Sequence, residues 1–334
     1  MKTYKLDGQG YRLSNTLNPF QLEMQVHLVN WKWAHVTHAP LMNHGHPNDA
    51  LLPEPFASRY VMIYPAVLAA FKDHQHKFHI RQHQYFNHVA SSQVANINLF
   101  LPVLLNSNVN VILRELNPDF ARLAPSELDH GYRLEYWDEP EGALGDRTPI
   151  SGTDADIAIA YHNHENELCL WLIEHKLTES EFTTCGGSRS KGRTAIHTCS
   201  KPFSEILEDK QVCYYHSANH YNFWNITDAN QAFFVNHAKH PACPFIGGMN
   251  QLWRNQLLAL SIEQNQLYKH VTFSVVKHPL NTYLDQSLAE YMDLIANNPK
   301  FSVFTSKDVL NAAAGLHDPE LDQWIAWYCD LYAL

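Results

Sequence analysis

The stretch that most constrains this chain is a pair of apolar runs, residues 154–161 and 168–176, joined by the polar segment 162–167. Each run is too short for an ordinary helix and rich in Ile, Ala, Leu or Trp, so the pattern predicts the two antiparallel strands of a β-hairpin. Side chains alternate across a strand. Asp156, Ala158 and Ala160 therefore share one face of the first strand, Leu170, Leu172, Glu174 and Lys176 share one face of the second, and His175 points the other way. A turn near His164 and Glu165 makes opposite residue numbers sum to about 330, which sets Asp156 beside Glu174. The surrounding composition is that of strands covered on both faces, where carboxylates are costly without a cation. Two carboxylates on adjacent strands can hold a hard divalent ion such as Mg²⁺ or Mn²⁺. Lys176 would enter the same space, placed to position an attacking water or to stabilise charge developing on phosphorus. Those are the parts that phosphodiester hydrolysis needs; the bland alternative is a salt bridge at a strand end.

Thr153-Asp154-Ala155-Asp156-Ile157-Ala158-Ile159, followed by Leu172-Ile173-Glu174-His175-Lys176-Leu177-Thr178-Glu179, resembles the paired strands of the PD-(D/E)XK, or restriction-endonuclease-like, nuclease superfamily. The Glu-x-Lys strand is that superfamily's signature. A segment with Ala90-Ser91-Ser92-Gln93, Asn98-Leu99-Phe100 and Pro102, cysteines after a Lys-Leu-Thr-Glu strand end, and Gln251-Leu252-Trp253-Arg254-Asn255 resemble an uncharacterised branch of it. The resemblance covers about 90–260 discontinuously. It implies an α/β fold with a mixed central β-sheet flanked by helices, a restriction-endonuclease-like core with an N-terminal helical extension. It also implies a Mg²⁺- or Mn²⁺-dependent nuclease acting on DNA, with RNA left open, in a restriction, defence or repair role. Asp156 and Glu174 would ligate the metal, Lys176 would assist the water, and Gln93 and Gln251 would support them from neighbouring helices. The superfamily's Pro-Asp dipeptide is replaced here by Thr153-Asp154-Ala155-Asp156, so Asp154 competes with Asp156 for the metal role. Asp156 is favoured because the apolar strand follows it directly and it aligns with Glu174.

The rest of the sequence bounds this reading. At 334 residues, with 45% hydrophobic and 17% charged residues, the chain can bury a large core and is not disordered. No repeat or linker divides it, and residues 1–89 are expected as a partly helical extension of a nuclease domain at 90–334 with C-terminal helices. Helices are expected at 58–72, with Pro65 a kink or break, and at 90–105, 204–218, 250–264, 281–298 and 318–332; strands are expected at 132–137 and 270–277. No apolar run reaches the ~20 residues of a membrane span, and no segment resembles a signal peptide, so a cytoplasmic location is the expectation. The net charge of −10 repels polyanions at long range, so nucleic acid would need a local basic patch. Arg189, Lys191 and Arg193 form one candidate and Arg254 another, to grip phosphates without reading sequence. Cys185, Cys199, Cys213 and Cys243 could hold zinc or an iron-sulfur cluster, although the Cys-x-x-Cys pairs of such sites are missing; isolated reduced thiols are the favoured reading. His44, His46, His74, His76 and His79 lack the spacing of a His-Glu-x-x-His zinc site. The aromatic run Tyr214, Tyr215, Tyr221, Phe223 and Trp224 could stack bases but reads better as a core face. Two rivals to a metal nuclease are a non-catalytic nucleic-acid-binding or interaction protein on the same fold and a zinc hydrolase built from histidines. Double-strand cutting would favour a homodimer, because two phosphodiesters must be reached.

Overall fold

The computed structural model describes residues 1–138, 142–148, 152–189 and 200–334. Two short hairpins, β1 (Lys2–Leu6) with β2 (Gln9–Leu13) and β3 (Leu41–Asn43) with β4 (His46–Asn48), flank helix α1 (Pro19–His35). The start of α1 is locally encoded: the Asn18 side chain accepts from the Gln21 N–H, the Gln21 side chain accepts from the Asn18 N–H, and Pro19 occupies the first helical position. Helices α2 (Glu54–Ala57), α3 (Leu68–Phe78), α4 (Ser92–Leu105) and α5 (Val109–Leu116) come next. Four strands follow, β5 (Arg122–Leu123), β6 (Tyr132–Tyr136), β7 (Ala155–His162) and β8 (Leu168–Lys176). Beyond them lie α6 (Phe203–Glu208), α7 (Tyr214–Ser217), α8 (Phe223–Ala229), α9 (Asn250–Gln264) and β9 (His270–Lys277). Helix α10 (Asp285–Leu294), strand β10 (Phe301–Thr305) and helices α11 (Ser306–Ala314) and α12 (Pro319–Tyr332) complete the described elements.

Six strands form one mixed sheet in the order β10-β9-β8-β7-β5, with β6 also paired to β7. β7 is antiparallel to β8, β6 and β5, whereas β8, β9 and β10 run parallel. The β7/β8 register pairs Ile157 with Ile173 and Ala158 with Leu172, so the numbers sum to 330 as the hairpin turn predicts. Strand alternation divides the core in two. Ile157, Ile159, Trp171 and Ile173 pack with α4 and α12 on one face, while Ala158, Ala160, Leu170 and Leu172 pack with α9 and an aromatic group on the other. The result is helices on both faces of a mixed sheet, the α/β architecture that the resemblance implies.

Differences from the expected elements have local causes. Pro65 opens a 3-10 turn, so the helix expected over 58–72 starts only at Leu68. The region 204–218 breaks into two short helices around a turn capped by Asp209, and the helix expected from 281 starts at Asp285 after an Asn281-capped turn. Residues 1–18 carry the β1/β2 hairpin, not a helix. Tyr11, Leu13, Met24 and Leu28 share one hydrophobic cluster with Ile157 and Trp171 of the sheet and Trp324 of α12.

Candidate active site

The site is built where three strands place carboxylates side by side. In the β6/β7 pairing Leu134 faces Ile157 and Tyr136 faces Ala155, which sets Glu135 opposite Asp156. The β7/β8 pairing ends at Ile157 and Ile173, and just beyond it the charge of Glu174 acts on Asp156. Like charges directly opposite one another on a sheet repel. Burial raises the Asp156 carboxyl well above the ordinary range, and the charge of Glu174 adds to it, against the opposing pull of Lys176 and the His175 N–H. Glu135 is raised in the same way, by burial first and then by Asp156 and Asp154. Glu135 also has φ of 51°, a left-handed conformation that a strand residue does not adopt without compensation.

Each acid is tied to its surroundings. Asp156 Oδ2 accepts from the His175 backbone N–H at 2.6 Å. Glu174, 5% exposed, accepts at Oε1 from Lys176 Nζ at 2.7 Å and from Gln251 Nε2 at 2.7 Å, and at Oε2 from Asn255 Nδ2 at 2.9 Å. Gln251 and Asn255 are one turn apart on α9 and so present one face to the strand. Burial opposes the charge on Lys176, but Glu174, Glu179 and Asp156 outweigh it and raise its pKa above the usual lysine value. Lys176 is therefore an ammonium at neutral pH.

A second acid lies at the edge of this row. Burial raises the Asp154 carboxyl, Glu174 raises it further, and Arg147, Arg254 and Arg81 oppose the rise. Arg147 Nη1 reaches Asp154 at 3.5 Å and lies over the Trp137 ring. Arg254 Nη1 donates to Thr153 Oγ1 at 3.2 Å, and the same hydroxyl bonds Asp146 at 2.5 Å. Among the described residues no three His, Cys, Asp or Glu side chains are gathered closely enough to hold a metal ion by themselves. Mg²⁺ needs only one or two protein carboxylates, and the donor set here consists of hard oxygens whose mutual repulsion a divalent cation would relieve.

A model of the family described as Restriction Endonuclease associating with ARP matches residues 30–333. The chain belongs to that family. No curated protein and no solved structure matches it.

Membership in a restriction-endonuclease family gives the row of acids its context. Of the residues singled out from sequence, the fold brings Asp156, Glu174, Lys176 and Gln251 together and sets Asp154 beside them. Gln93 sits at the border: its Oε1 accepts from the His83 N–H at 2.9 Å, its Nε2 donates to Arg81 O at 3.0 Å, and it also bonds the Glu135 carboxyl. Arg254 serves Thr153 and Asp146 at the edge. Lys191, Arg193, Cys199 and the Arg189 side chain lie outside the described residues. Cys185 lies near enough to Cys213 to raise its pKa beyond the effect of burial, and the Cys185 N–H bonds Ile246 O at 3.0 Å. Among the described residues the cysteines form no group of three that could hold a metal. Phe223 and Trp224 are buried against Trp253, so this part of the aromatic run is core. His74 is buried as well, with Nε2 accepting from the Leu134 N–H and Nδ1 on Asp129.

Two residues were missed. Asn255 sits four positions after Gln251, a spacing that on a helix predicts a shared target. Glu135 lies in a strand whose alternation was visible as Tyr132, Leu134 and Tyr136; the signal was an acid on the opposite face of a strand next to the hairpin.

Proposed function

We propose that this chain is a Mg²⁺- or Mn²⁺-dependent nuclease that hydrolyses phosphodiester bonds in DNA. The observation that carries the reading is the cross-strand row Glu135, Asp156 and Glu174 with the Lys176 ammonium on its last member. Asp156 and Glu174 would hold the ion, and Asp154 and Glu135 would add negative charge beside it. When bound, such an ion supplies Lewis-acid polarisation of the phosphate and a nucleophile at neutral pH. Gln251 and Asn255 fix the Glu174 carboxylate, and the His175 N–H fixes Asp156. Because Lys176 keeps its proton, it acts by charge: it orients the attacking oxygen and stabilises the negative charge that grows on the phosphoryl oxygens. Arg254 and Arg147, at the rim beside Asp154, are suited to grip flanking phosphates. Cutting both strands of a duplex in one encounter would favour two such sites, and thus a homodimer, which light scattering on the DNA-bound protein would detect.

The test compares wild type with Asp156→Ala and Lys176→Ala on supercoiled plasmid, single-stranded DNA and RNA, with Mg²⁺, Mn²⁺ or chelator. Cleavage by wild type alone, abolished by chelator, is expected. Full cleavage by Lys176→Ala, or cleavage that persists in chelator, would place the chemistry elsewhere. Binding of nucleic acid without cleavage of any substrate would favour the non-catalytic reading.

A further inference from the structure

A chain of net charge −10 can hold a phosphate over a row of acids only where cations are placed beside them. The guanidiniums of Arg147, Arg254 and Arg81 all pull on the Asp154 carboxyl at the edge of that row. Arg147 precedes β7 and Arg254 lies on α9, whereas Arg81 belongs to the connection between α3 and α4.

One side chain holds that connection in place. Gln93 Oε1 accepts from the His83 N–H at 2.9 Å, and Gln93 Nε2 donates to Arg81 O at 3.0 Å. A single carboxamide thus engages the C=O of one residue and the N–H of the second residue after it. Those are the two groups that a neighbouring parallel strand would engage, so Gln93 fixes 81–83 as an extended stretch. Side chains alternate along such a stretch. Gln82 turns to one side, where its Nε2 donates to the Tyr60 hydroxyl at 3.0 Å. Arg81 and His83 share the other side: Arg81 acts on Asp154, and His83 lies in the field of Glu179, Arg81 and Lys176. Gln93 itself is 6% exposed and bonds the Glu135 carboxyl. One turn further along α4, Asn96 Nδ2 donates to Asp156 O at 3.0 Å. The first turn of α4 therefore ties the stretch 81–83 to β6 and β7 at their acids. Unlike Gln93, Arg81 is exposed, so a ligand lying along the row can reach it.

We propose that Arg81 contacts a phosphate of the nucleic-acid strand laid over the acid row, and that Gln93 is the positioning residue that keeps it there. A guanidinium matches phosphate oxygens as it matches a carboxylate, and contacts of this kind set where the strand lies without reading its sequence. Gln93 does not touch the strand. It acts through the backbone of 81–83, which would otherwise be free to carry the guanidinium off the row. The inference takes the location of the strand from the nuclease reading, whereas the contact itself does not require that the strand be cut.

Anisotropy of a labelled oligonucleotide, single-stranded and duplex, bound to the full chain in chelator over a series of NaCl concentrations tests this without a cleavage assay. The parent protein is Asp156→Asn, which carries one acid fewer. Each phosphate contact contributes about 1 to the slope of log affinity against log salt. Arg81→Ala, which keeps the backbone carbonyl that Gln93 holds, is expected to weaken binding of unrelated sequences alike and to lower the slope by about 1, with Tm unchanged. Arg81→Lys, which keeps the charge, should retain the slope. Gln93→Met, close in shape but without either hydrogen bond, should lower the slope as Arg81→Ala does, and the two changes together should lower it no further. A purely structural Gln93 would lower Tm and leave the slope alone. An unchanged slope in folded Arg81→Ala, or no binding of either oligonucleotide by the parent, would overturn the proposal; a Gln93→Met chain that does not fold, or a slope loss that adds to that of Arg81→Ala, would overturn the positioning role. Cleavage by wild type together with an unchanged Arg81→Ala slope refutes this contact alone. A lowered slope with no cleavage by wild type refutes the nuclease reading and leaves the contact standing.

Discussion

Asn255 is the residue on which the precision of the site turns, because it is the donor to the Glu174 oxygen that Lys176 and Gln251 do not occupy. Asn255→Ala strips a buried carboxylate of that bond, an effect worth ~1–3 kcal/mol when the abandoned acceptor stays buried. Groups that orient a metal-binding carboxylate alter metal affinity or activity by roughly 10- to 100-fold. The expected outcome is cleavage reduced by that factor, with a higher Mg²⁺ concentration needed for half-maximal rate. A titration of rate against Mg²⁺ in wild type and variant checks it; an unchanged midpoint would show that Asn255 does not act through Glu174 as the proposed metal ligand. The acids of β7 and β8 and Lys176 were legible in sequence because they interrupt apolar strands, and polarity there demands a partner. Asn255 and Glu135 were less legible for opposite reasons. Asn255 lies on a helix that is buried on most sides, where an amide reads as one more core polar group. Glu135 lies in a five-residue strand with alternating burial, where an acid on the less buried face is unremarkable until the register sets it opposite Asp156.

At the scale of the element, helix α4 shows how one imperfection is absorbed by another. Pro102 lies inside α4 and has no N–H to offer the carbonyl of Asn98, four residues earlier. That carbonyl instead accepts from Trp324 Nε1 of α12 at 2.8 Å, while the Asn98 side chain accepts from the Tyr64 N–H and donates to Met62 O and the Tyr332 hydroxyl. The carbonyl that Pro102 leaves unpaired is thus a dock for α12, and α4 is held over β7 and β8, beside the Asp156 strand, where Asn96 Nδ2 donates to Asp156 O at 3.0 Å. Trp324→Phe should destabilise by ~1–3 kcal/mol through the unpaired carbonyl, with a further loss from the smaller ring. Pro102→Ala supplies an N–H to the same carbonyl. The double variant is therefore expected to be more stable than the sum of the single changes, by ~0.5–3 kcal/mol. Denaturant unfolding of the four proteins measures this, and strict additivity would refute the exchange of donors. Sequence showed α4 as a helix through its apolar density, but the partner of its orphaned carbonyl lies 226 positions away, a distance that no local pattern encodes. The same limit hid β10, which joins the sheet only through its parallel pairing with β9.

Over the whole molecule, two sets of buried titratable groups pull stability in opposite directions with pH. His74 and His278 are held down to about 4 and His175 to about 3, mainly by burial. His74 must stay neutral for a geometric reason, since its Nε2 accepts from the Leu134 N–H beside Glu135. For groups whose folded pKa is depressed below the unfolded ~6.5, the stabilisation is complete above that value and is lost as pH falls through the folded values. Each shift is worth on the order of 3–5 kcal/mol. The carboxyls of Glu135 and Asp156 behave in the reverse sense: their folded pKa values are raised, so the stability they allow is present below their unfolded values of ~4 and is lost as pH rises through the folded ones. Metal-free protein should accordingly lose thermal stability toward acid as the histidines charge, and also as pH rises through the raised values of the acid row. The proposed divalent cation would bind the ionised row and not the protonated one, so the increase in Tm on adding millimolar Mg²⁺ should be larger at pH 8 than at pH 5.5. Asp156→Asn, which removes one charge from the middle of the row, should raise the metal-free Tm at pH 8 and shrink the Mg²⁺ effect. Equal Mg²⁺ shifts at both pH values, or a shift untouched by that substitution, would mean that the repulsion between the strands is relieved by something other than a bound cation.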